Sequence, residues 1–316
     1  MDPLVTIGMP TYNRRHGYFP QALQSALAQD YPNLEVVVCD NASTDGTQEY
    51  MEAMTDPRLR YVRHAENIGA NANFNSCLDN ADGHFFLMLH DDDLLDPTFV
   101  SRCVAALGGR SDMGLVRTGS RVIGTDGQVL GSNRTNTQGK DAAEVVLSWF
   151  RRQTPLYLAS TLYNTRHLRE AGGFASPHGL YQDVKATFIV MARHGHVDVD
   201  EVLASFRQHD DNRGTTAGAL RWAEDAAHLL EVVVEEFPER AEEMRAVGGV
   251  YLCRQSYRYV AAIPDAGERW RAYRQVERMF DGSVSPLSYE ITRRWRRTRN
   301  TAKRAIKSLA GRREVA

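Results

Sequence analysis

The feature that most constrains this chain is an alternation, over residues 4–97, of short apolar runs with stretches of helical spacing. Leu4–Met9 is β-rich and stops at Pro10, Leu34–Cys39 (LEVVVC) is unbroken and stops at Asp40, and Arg60–Arg63 is a brief extended run. Phe85–Leu89 is apolar and aromatic and stops in His90-Asp91-Asp92-Asp93. Between these runs, Phe19–Ala28, Thr47–Met54 and Ala70–Ala81 carry apolar residues at helical spacing. Continuous apolar runs of strand length belong to strands buried on both faces, and the helices between them serve as crossovers of a mainly parallel sheet. Ligands of such sheets collect outside the carboxyl ends of the strands. Pro10–Asn13, Asp40–Asp45 and Asp91–Asp93 each sit at such an end, so three polar clusters are expected on one rim.

The pattern changes after Asp112. Leu115–Gly124 and Gln128–Leu130 predict a hairpin around Thr125-Asp126-Gly127, where Asp-Gly is the turn signal. Leu158–Tyr163 and Leu203–His209 are further strand candidates, with a helix over about Val184–Arg193 between them. From Leu220 the spacing is helical throughout, broken at Pro238, Pro264 and Asp281-Gly282. The expected organisation is an α/β domain over 1–215, its halves meeting near residue 112. A helical C-terminal appendage follows over 216–316.

Composition excludes several classes. No apolar run approaches the roughly 20 residues of a membrane span. Met1-Asp2-Pro3 lacks the basic opening of a signal peptide. Cys39, Cys77, Cys103 and Cys253 show no metal-ligand or redox spacing and read as reduced core thiols, the usage of a cytoplasmic protein. The only dense run of positive charge is at the C-terminal end and no reader motif accompanies it, so nucleic acid is not an expected partner.

Three adjacent carboxylates repel one another unless a cation sits among them. Oxygen ligands at the mouth of a strand suit Mg²⁺ or Mn²⁺, which complete their shells with water and phosphate. The bland alternative is a solvated turn before a helix opening at Asp96-Pro97. Asp40 ends a buried strand, and a carboxylate there can accept the N3–H of uracil or thymine, which cytosine lacks. Ser43 and Asp45 read more simply as turn and cap residues.

Pro10-Thr11-Tyr12-Asn13, then VVVCDNASTDGT, then Glu66-Asn67-Ile68-Gly69, then the acidic triplet before Pro97 resemble family 2 glycosyltransferases of the GT-A fold. The match in order and spacing covers residues 4–97 and continues more weakly to about residue 213. It implies a Rossmann-like mixed sheet, a nucleotide-diphospho-sugar donor, a divalent metal (Mg²⁺ or Mn²⁺) and inversion at the anomeric carbon. It also implies a nucleotide-binding half to about 112 and an acceptor half over 113–215. By position, Pro10, Thr11, Tyr12 and Asn13 would line the nucleotide pocket, Asp40 would hold the base, and Asn67 and Gly69 match an Asn-x-Gly of the family. The usual Asp-x-Asp would fall at positions 90 and 92, but position 90 is His. Asp92 is then the foremost metal ligand, with Asp93 beside it and Asp91 toward the ribose. Phe74 replaces an Arg that often precedes the Asn at position 75, so no phosphate contact is assigned there.

Glycosyl transfer also needs a base for the acceptor hydroxyl. Tyr181-Gln182-Asp183 opens a helix and resembles the family's Glu-Asp pair with Gln in place of Glu, which implies Asp183 as that base. At a helix N-terminus its pKa would be expected to be low. Ser205-Phe206-Arg207-Gln208-His209 resembles a late Arg-x-His motif, implying His209 as an imidazole metal ligand and Arg207 at the diphosphate. Gly172-Gly173-Phe174 matches a glycine-rich turn near donor sugar and acceptor.

The implied activity is transfer from a UDP- or dTDP-sugar to a carbohydrate, lipid-linked or small-molecule hydroxyl. Polysaccharide, glycolipid and secondary-metabolite glycosylation are all open. The rivals are a sugar-1-phosphate nucleotidyltransferase, for which the glycine-rich phosphate loop is lacking, and a non-catalytic sugar-nucleotide sensor. Lastly, Arg293, Arg294, Arg296, Arg297, Arg299, Lys303, Arg304 and Lys307 surround a stripe of Ile291, Trp295, Ala302, Ile306 and Leu309. Such a basic amphipathic helix either docks on an anionic membrane surface, at the inner face, or packs on the core.

Overall fold

The computed structural model describes residues 2–209, 218–295 and 298–299. The chain runs β1 (Val5–Thr11), α1 (Phe19–Leu27), β2 (Leu34–Asp40), α2 (Thr47–Glu52), β3 (Leu59–Arg63), α3 (Ala70–Asp79), β4 (Phe85–Met88), β5 (Leu94–Leu95) and α4 (Phe99–Leu107). It continues through β6 (Leu115–Ile123), β7 (Val129–Asn133), α5 (Ala142–Phe150), β8 (Thr161–Asn164), α6 (Thr165–Glu170), α7 (Gln182–His194) and β9 (His196–Arg207). Helices α8 (Ala219–Glu236), α9 (Ala241–Val260) and α10 (Ala266–Met279) follow, and α11 covers 286–295.

The strands join one sheet in the order β3-β2-β1-β4-β8-β6-β9-β5, with β7 paired to β6. β1 lies parallel between β2 and β4, and β3 adds parallel to β2. Beyond β4 the sheet becomes mixed, because β8 runs antiparallel to both β4 and β6. The Asp-Gly hairpin forms as β6–β7.

Alternation along β2 explains why its whole run is apolar. Val36 and Val38 join one buried cluster with Phe19, Leu23, Phe99 and Val100 of α1 and α4. Val37 and Cys39 face the other way, into a cluster that includes Phe188 of α7. That second cluster continues without a break through Leu229 and Val233 of α8, Leu252 and Tyr257 of α9, and Tyr273 of α10. The helical region thus shares a core with the sheet. All four cysteines are buried and free.

Four segments differ from their sequence patterns, the first being the expected strand Leu158–Tyr163, which begins only at Thr161 after a 3₁₀ turn over Leu158–Ser160. Helix α5 was not expected; its apolar run AAEVVLSWF packs on both neighbours and is capped by Asp141, whose side chain accepts the Glu144 N–H. Strand β9 starts seven residues earlier than Leu203, because His196–Val202 pairs in parallel with β6 across a register shift at Gly119, despite its charged residues. Asp96-Pro97 does not begin a helix directly; a short β5 precedes it and pairs with β9 at Leu94↔Ser205.

Within α11, Glu290 is buried, takes the Tyr273 hydroxyl at 2.5 Å and pairs with Arg293 at 2.8 Å. Leu287, Ile291 and Trp295 point outward, 61%, 61% and 59% exposed. The rest of the expected basic helix, including residues 296–297 and 300–309, lies outside the described residues, as does the expected boundary near 215. No helix among the described residues is long and apolar enough to cross a membrane.

Candidate active site

The parallel register of β1 and β2 sets Thr11 opposite Asp40, and that of β2 and β3 sets Asp40 opposite Arg63. The first two polar clusters therefore meet on one rim. Asn13, in the left-handed region at φ 54°, donates its N–H to Ser43 Oγ (2.9 Å) and accepts the Thr44 N–H (2.8 Å). Asn41 accepts the Ile68 N–H and donates to Asn67 Oδ1, both at 2.8 Å, while Asn67 Oδ1 also takes the Gly69 N–H at 2.9 Å. Pro10 and Thr11 are buried, Tyr12 stands 45% exposed, and Asn67 and Gly69 are exposed.

Asp40 is fully buried. Its Oδ1 accepts the Ser43 N–H (2.9 Å) and the Ser43 hydroxyl, while Oδ2 accepts the Tyr61 hydroxyl (2.6 Å) and faces Arg63 Nε at 3.7 Å. Burial and the Asp40 charge hold the Tyr61 phenol protonated well above its ordinary range.

The third cluster follows β4 and is tied to the others through Thr11, whose hydroxyl donates to Asp91 Oδ2 at 2.9 Å. Burial and the neighbouring Asp92 push the Asp91 carboxyl up to about 6, against the pull of the Thr11 bond. Asp92 Oδ2 lies 2.9 Å from His209 Nε2. Asp93 is buried and its Oδ1 accepts the Arg207 N–H at 2.9 Å; burial raises its pKa, with His90 opposing. His90 lies 3.5 Å from Asp93 and packs on Phe74, with ring centroids 5.2 Å apart. Burial acts to discharge this imidazole, but Asp93, Asp92 and Asp183 outweigh it and lift the pKa to about 9. Its Nε2 is buried without a hydrogen-bond partner among the described residues. Ligand atoms of His90, Asp92 and Asp93 fall within 4.8 Å of one another. That set of carboxylate oxygens and imidazole fits a divalent cation.

Asp183 stands half-buried in the first turn of α7. Its pKa is raised rather than lowered as expected, because burial outweighs the first-turn N–H groups and the charge of His90. A raised carboxyl is a better proton acceptor. Gly172 and Gly173 have positive φ, and a Cβ on Gly173 would fall 2.5 Å from Asn75 Oδ1. Asn75 pairs with both backbone groups of Phe174, at 2.8 and 2.9 Å, which is why this glycine turn lies against α3.

A profile of glycosyl transferase family 2 matches residues 6–167. The chain belongs to glycosyl transferase family 2. This family 2 glycosyltransferase is 32% identical over 130 residues to the chondroitin synthase of Pasteurella multocida, a segment covering 40% of this chain and 13% of that one. Across the relatives it matches, the aligned segment spans between 13% and 44% of their length. Its fold is similar to that of S. aureus TarS in complex with UDP-GlcNAc, with a TM-score of 0.68 at 17% identity over 89% of this chain and 82% of that one. A mannosyltransferase from Pyrobaculum calidifontis in complex with GDP-Man and Mn²⁺ aligns with a TM-score of 0.53 at 21% identity, over 93% of this chain and 88% of that one. The architecture is GT-A, with a helical C-terminal region.

Within this glycosyltransferase, the expected diphosphate residue is buried beneath the acid turn. Arg207 is 1% exposed. Its Nε donates to the Asp92 carbonyl (2.9 Å), Nη1 to the Gly124 carbonyl (3.1 Å) and Nη2 to Gln21 Oε1 (3.3 Å), and Tyr18 covers its face at 4.2 Å. It braces the acid turn from behind. Sequence reasoning missed Tyr61 and Arg63 of β3, whose only signal is their place opposite the end of β2.

Proposed function

We propose that this glycosyltransferase is inverting and metal-dependent, moving a sugar from a UDP- or dTDP-sugar to an acceptor hydroxyl in polysaccharide, glycolipid or secondary-metabolite glycosylation. The observation that carries the reading is the acid turn. It holds ligand atoms of His90, Asp92 and Asp93 within 4.8 Å of one another, His209 Nε2 lies 2.9 Å from Asp92, and Thr11 ties the turn to the rim that holds Asp40.

Residues 1–215 form the catalytic unit in this reading, the half to about 112 taking the nucleotide and 113–215 the acceptor. Tyr12 offers an exposed ring face to the base, and Asp40 takes its N3–H through Oδ2. Pro10, Thr11, Asn13, Asn67 and Gly69 shape the rim beside it, and Asp91 faces the ribose. Asp92 and His209, with Asp93 behind them, hold Mn²⁺ or Mg²⁺, which when bound supplies positive charge against the departing diphosphate. Asp183 accepts the proton as the hydroxyl attacks opposite the leaving group, so the anomeric configuration inverts. The raised pKa from burial supports that role.

The outward stripe of α11 supports contact with an anionic membrane surface. Leu287, Ile291 and Trp295 would enter the interface, with Arg294 and Arg299 beside them. Incubation with UDP-glucose, UDP-galactose and UDP-GlcNAc, with Mn²⁺ or with EDTA, tests the central reading. UDP release that depends on the metal is expected from at least one donor. Tight binding of a donor without UDP release, in any metal, would make the protein a sensor.

A further inference from the structure

Asp225, on α8 of the helical region, is fully buried, and both its oxygens are spent on a segment of the catalytic half. Oδ1 accepts the His178 N–H at 2.7 Å. Oδ2 accepts the Ser176 hydroxyl at 2.6 Å, the Leu180 N–H at 2.8 Å and the Tyr181 N–H at 3.3 Å. Three backbone donors converge on one carboxylate because Gly179, between two of them, has φ +69°. A side chain there would be strained and would also meet Asn71, whose amide lies 2.7 Å from the position of a Cβ. Successive N–H groups gathered this way form an anion-binding concavity, here filled by the chain's own carboxylate.

The segment so held ends at Tyr181, the N-cap of α7, and Asp183 follows two residues later. Trp222, one turn before Asp225 on α8, meets the Tyr181 ring edge-on, with centroids 5.4 Å apart at 89°, and is itself stacked on Tyr259 of α9 at 4.6 Å. On the opposite side the segment begins at Phe174, gripped by Asn75 of α3. The strand of chain that delivers Asp183 is therefore pinned at one end by the nucleotide half and at the other by the helical region.

We infer that Asp225 is a positioning residue for glycosyl transfer, holding residues 176–181 so that Asp183 faces the acceptor. The inference rests on Asp183 being the base. It makes α8 part of the catalytic apparatus and not a separate appendage. An asparagine at 225 keeps one acceptor oxygen but turns an N–H₂ group toward N–H donors, so the segment loses its common anchor while the fold keeps its volume.

The test uses the full chain with Asp225→Asn, Asp183→Asn and the double variant, and Glu231→Gln on the exposed side of α8 as a control. The rate of UDP release from the three UDP-sugars in Mn²⁺ is measured beside donor KM, with amide exchange of residues 176–181. Asp225→Asn is expected to lower kcat tenfold or more with donor KM within twofold, and to speed exchange at 176–181 tenfold while α9 keeps its protection. The double variant should be no slower than Asp183→Asn, because residues acting as one unit are not additive. Wild-type kcat in Asp225→Asn, or multiplication of the two losses in the double variant, overturns the inference. If the wild-type protein releases no UDP, the glycosyl-transfer reading fails on its own account, and unchanged exchange at 176–181 would separately overturn the role of Asp225. Should Asp225→Asn fail to fold, Ser176→Ala removes one donor with the carboxylate in place. A smaller change in the same direction supports the inference, and none overturns it.

Discussion

Asp92 Oδ2 and His209 Nε2 lie 2.9 Å apart although 117 positions separate them in the chain. The short antiparallel pairing of β5 with β9, at Leu94↔Ser205 and Leu95↔Ala204, lays the segment after the acid turn alongside the end of the last strand. Arg207 reinforces the arrangement from within, its backbone N–H on Asp93 and its side chain on the Asp92 carbonyl. The acid turn is thus held by the end of the sheet's last strand.

Asp92→Ala is expected to abolish both UDP release and the metal dependence of UDP binding, since a diphosphate needs charge neutralisation as it leaves. Calorimetry of UDP with Mn²⁺ and with EDTA measures this. A variant that still binds UDP more tightly with Mn²⁺ and turns over normally would remove Asp92 from the metal site.

Asp183→Asn preserves shape but cannot take a proton. A loss in kcat of about 10²–10⁴-fold is expected, the usual worth of a general base, with donor affinity nearly unchanged. Near-wild-type kcat, or a product that keeps the donor's anomeric configuration, would sink the single-displacement mechanism.

Asp91 supplies a pH prediction. Its pKa rises on folding from an ordinary 3.8 to about 6, so the folded state holds the proton more tightly than the unfolded chain. That contribution is complete below about pH 4 and is lost as pH rises through about 6. Asp91→Asn should therefore be more stable than wild type at pH 7.5 in EDTA, by about 2–3 kcal/mol at most, and equal to it near pH 4. Urea denaturation at both pH values decides; a difference that does not vanish at low pH would point to packing instead of ionisation.

Asp40→Ala leaves Ser43, Tyr61 and Arg63 without their acceptor, and a loss of about 3–5 kcal/mol in stability is expected together with weaker UDP binding. Tyr61→Phe costs about 1 kcal/mol and frees Oδ2. Calorimetry should then show UDP bound a few-fold more tightly by Tyr61→Phe. Weaker binding would give the base contact to Tyr61.

Replacing Leu287, Ile291 and Trp295 together with Ser should leave the fold intact, since all three are exposed. Co-sedimentation with vesicles containing phosphatidylglycerol should fall at least tenfold, with UDP release in solution unchanged. Equal binding to purely zwitterionic vesicles, or no vesicle binding by wild type, would exclude an anionic surface as the partner.

Local periodicity was enough to read β1 to β4, the helices between them and the three rim clusters, because strands buried on both faces must be continuously apolar and must end where the chain meets water. Asp92, Asp183 and His209 were singled out by the resemblance to family 2 motifs and not by periodicity. Helix α5 was missed because a short apolar run reads the same in a buried helix and a strand. The first half of β9 was missed because its charged residues hide a pairing that only β6 supplies.

What the sequence by itself determined was the family, the alternation of strands and helices from β1 to β4, and the residue types on the rim. Tertiary structure alone decided where the ionisable groups ended up and at what pKa. Arg207 turned inward onto the Asp92 and Gly124 carbonyls, and Asp183, 93 positions on, joined Asp92 and Asp93 of the local turn in acting on His90. Burial overrode the helix terminus at Asp183, and Asp225 closed on a loop 44 to 49 positions away. Charge interactions depend on distance through space and on exclusion of water, and neither is encoded in any local window of residues.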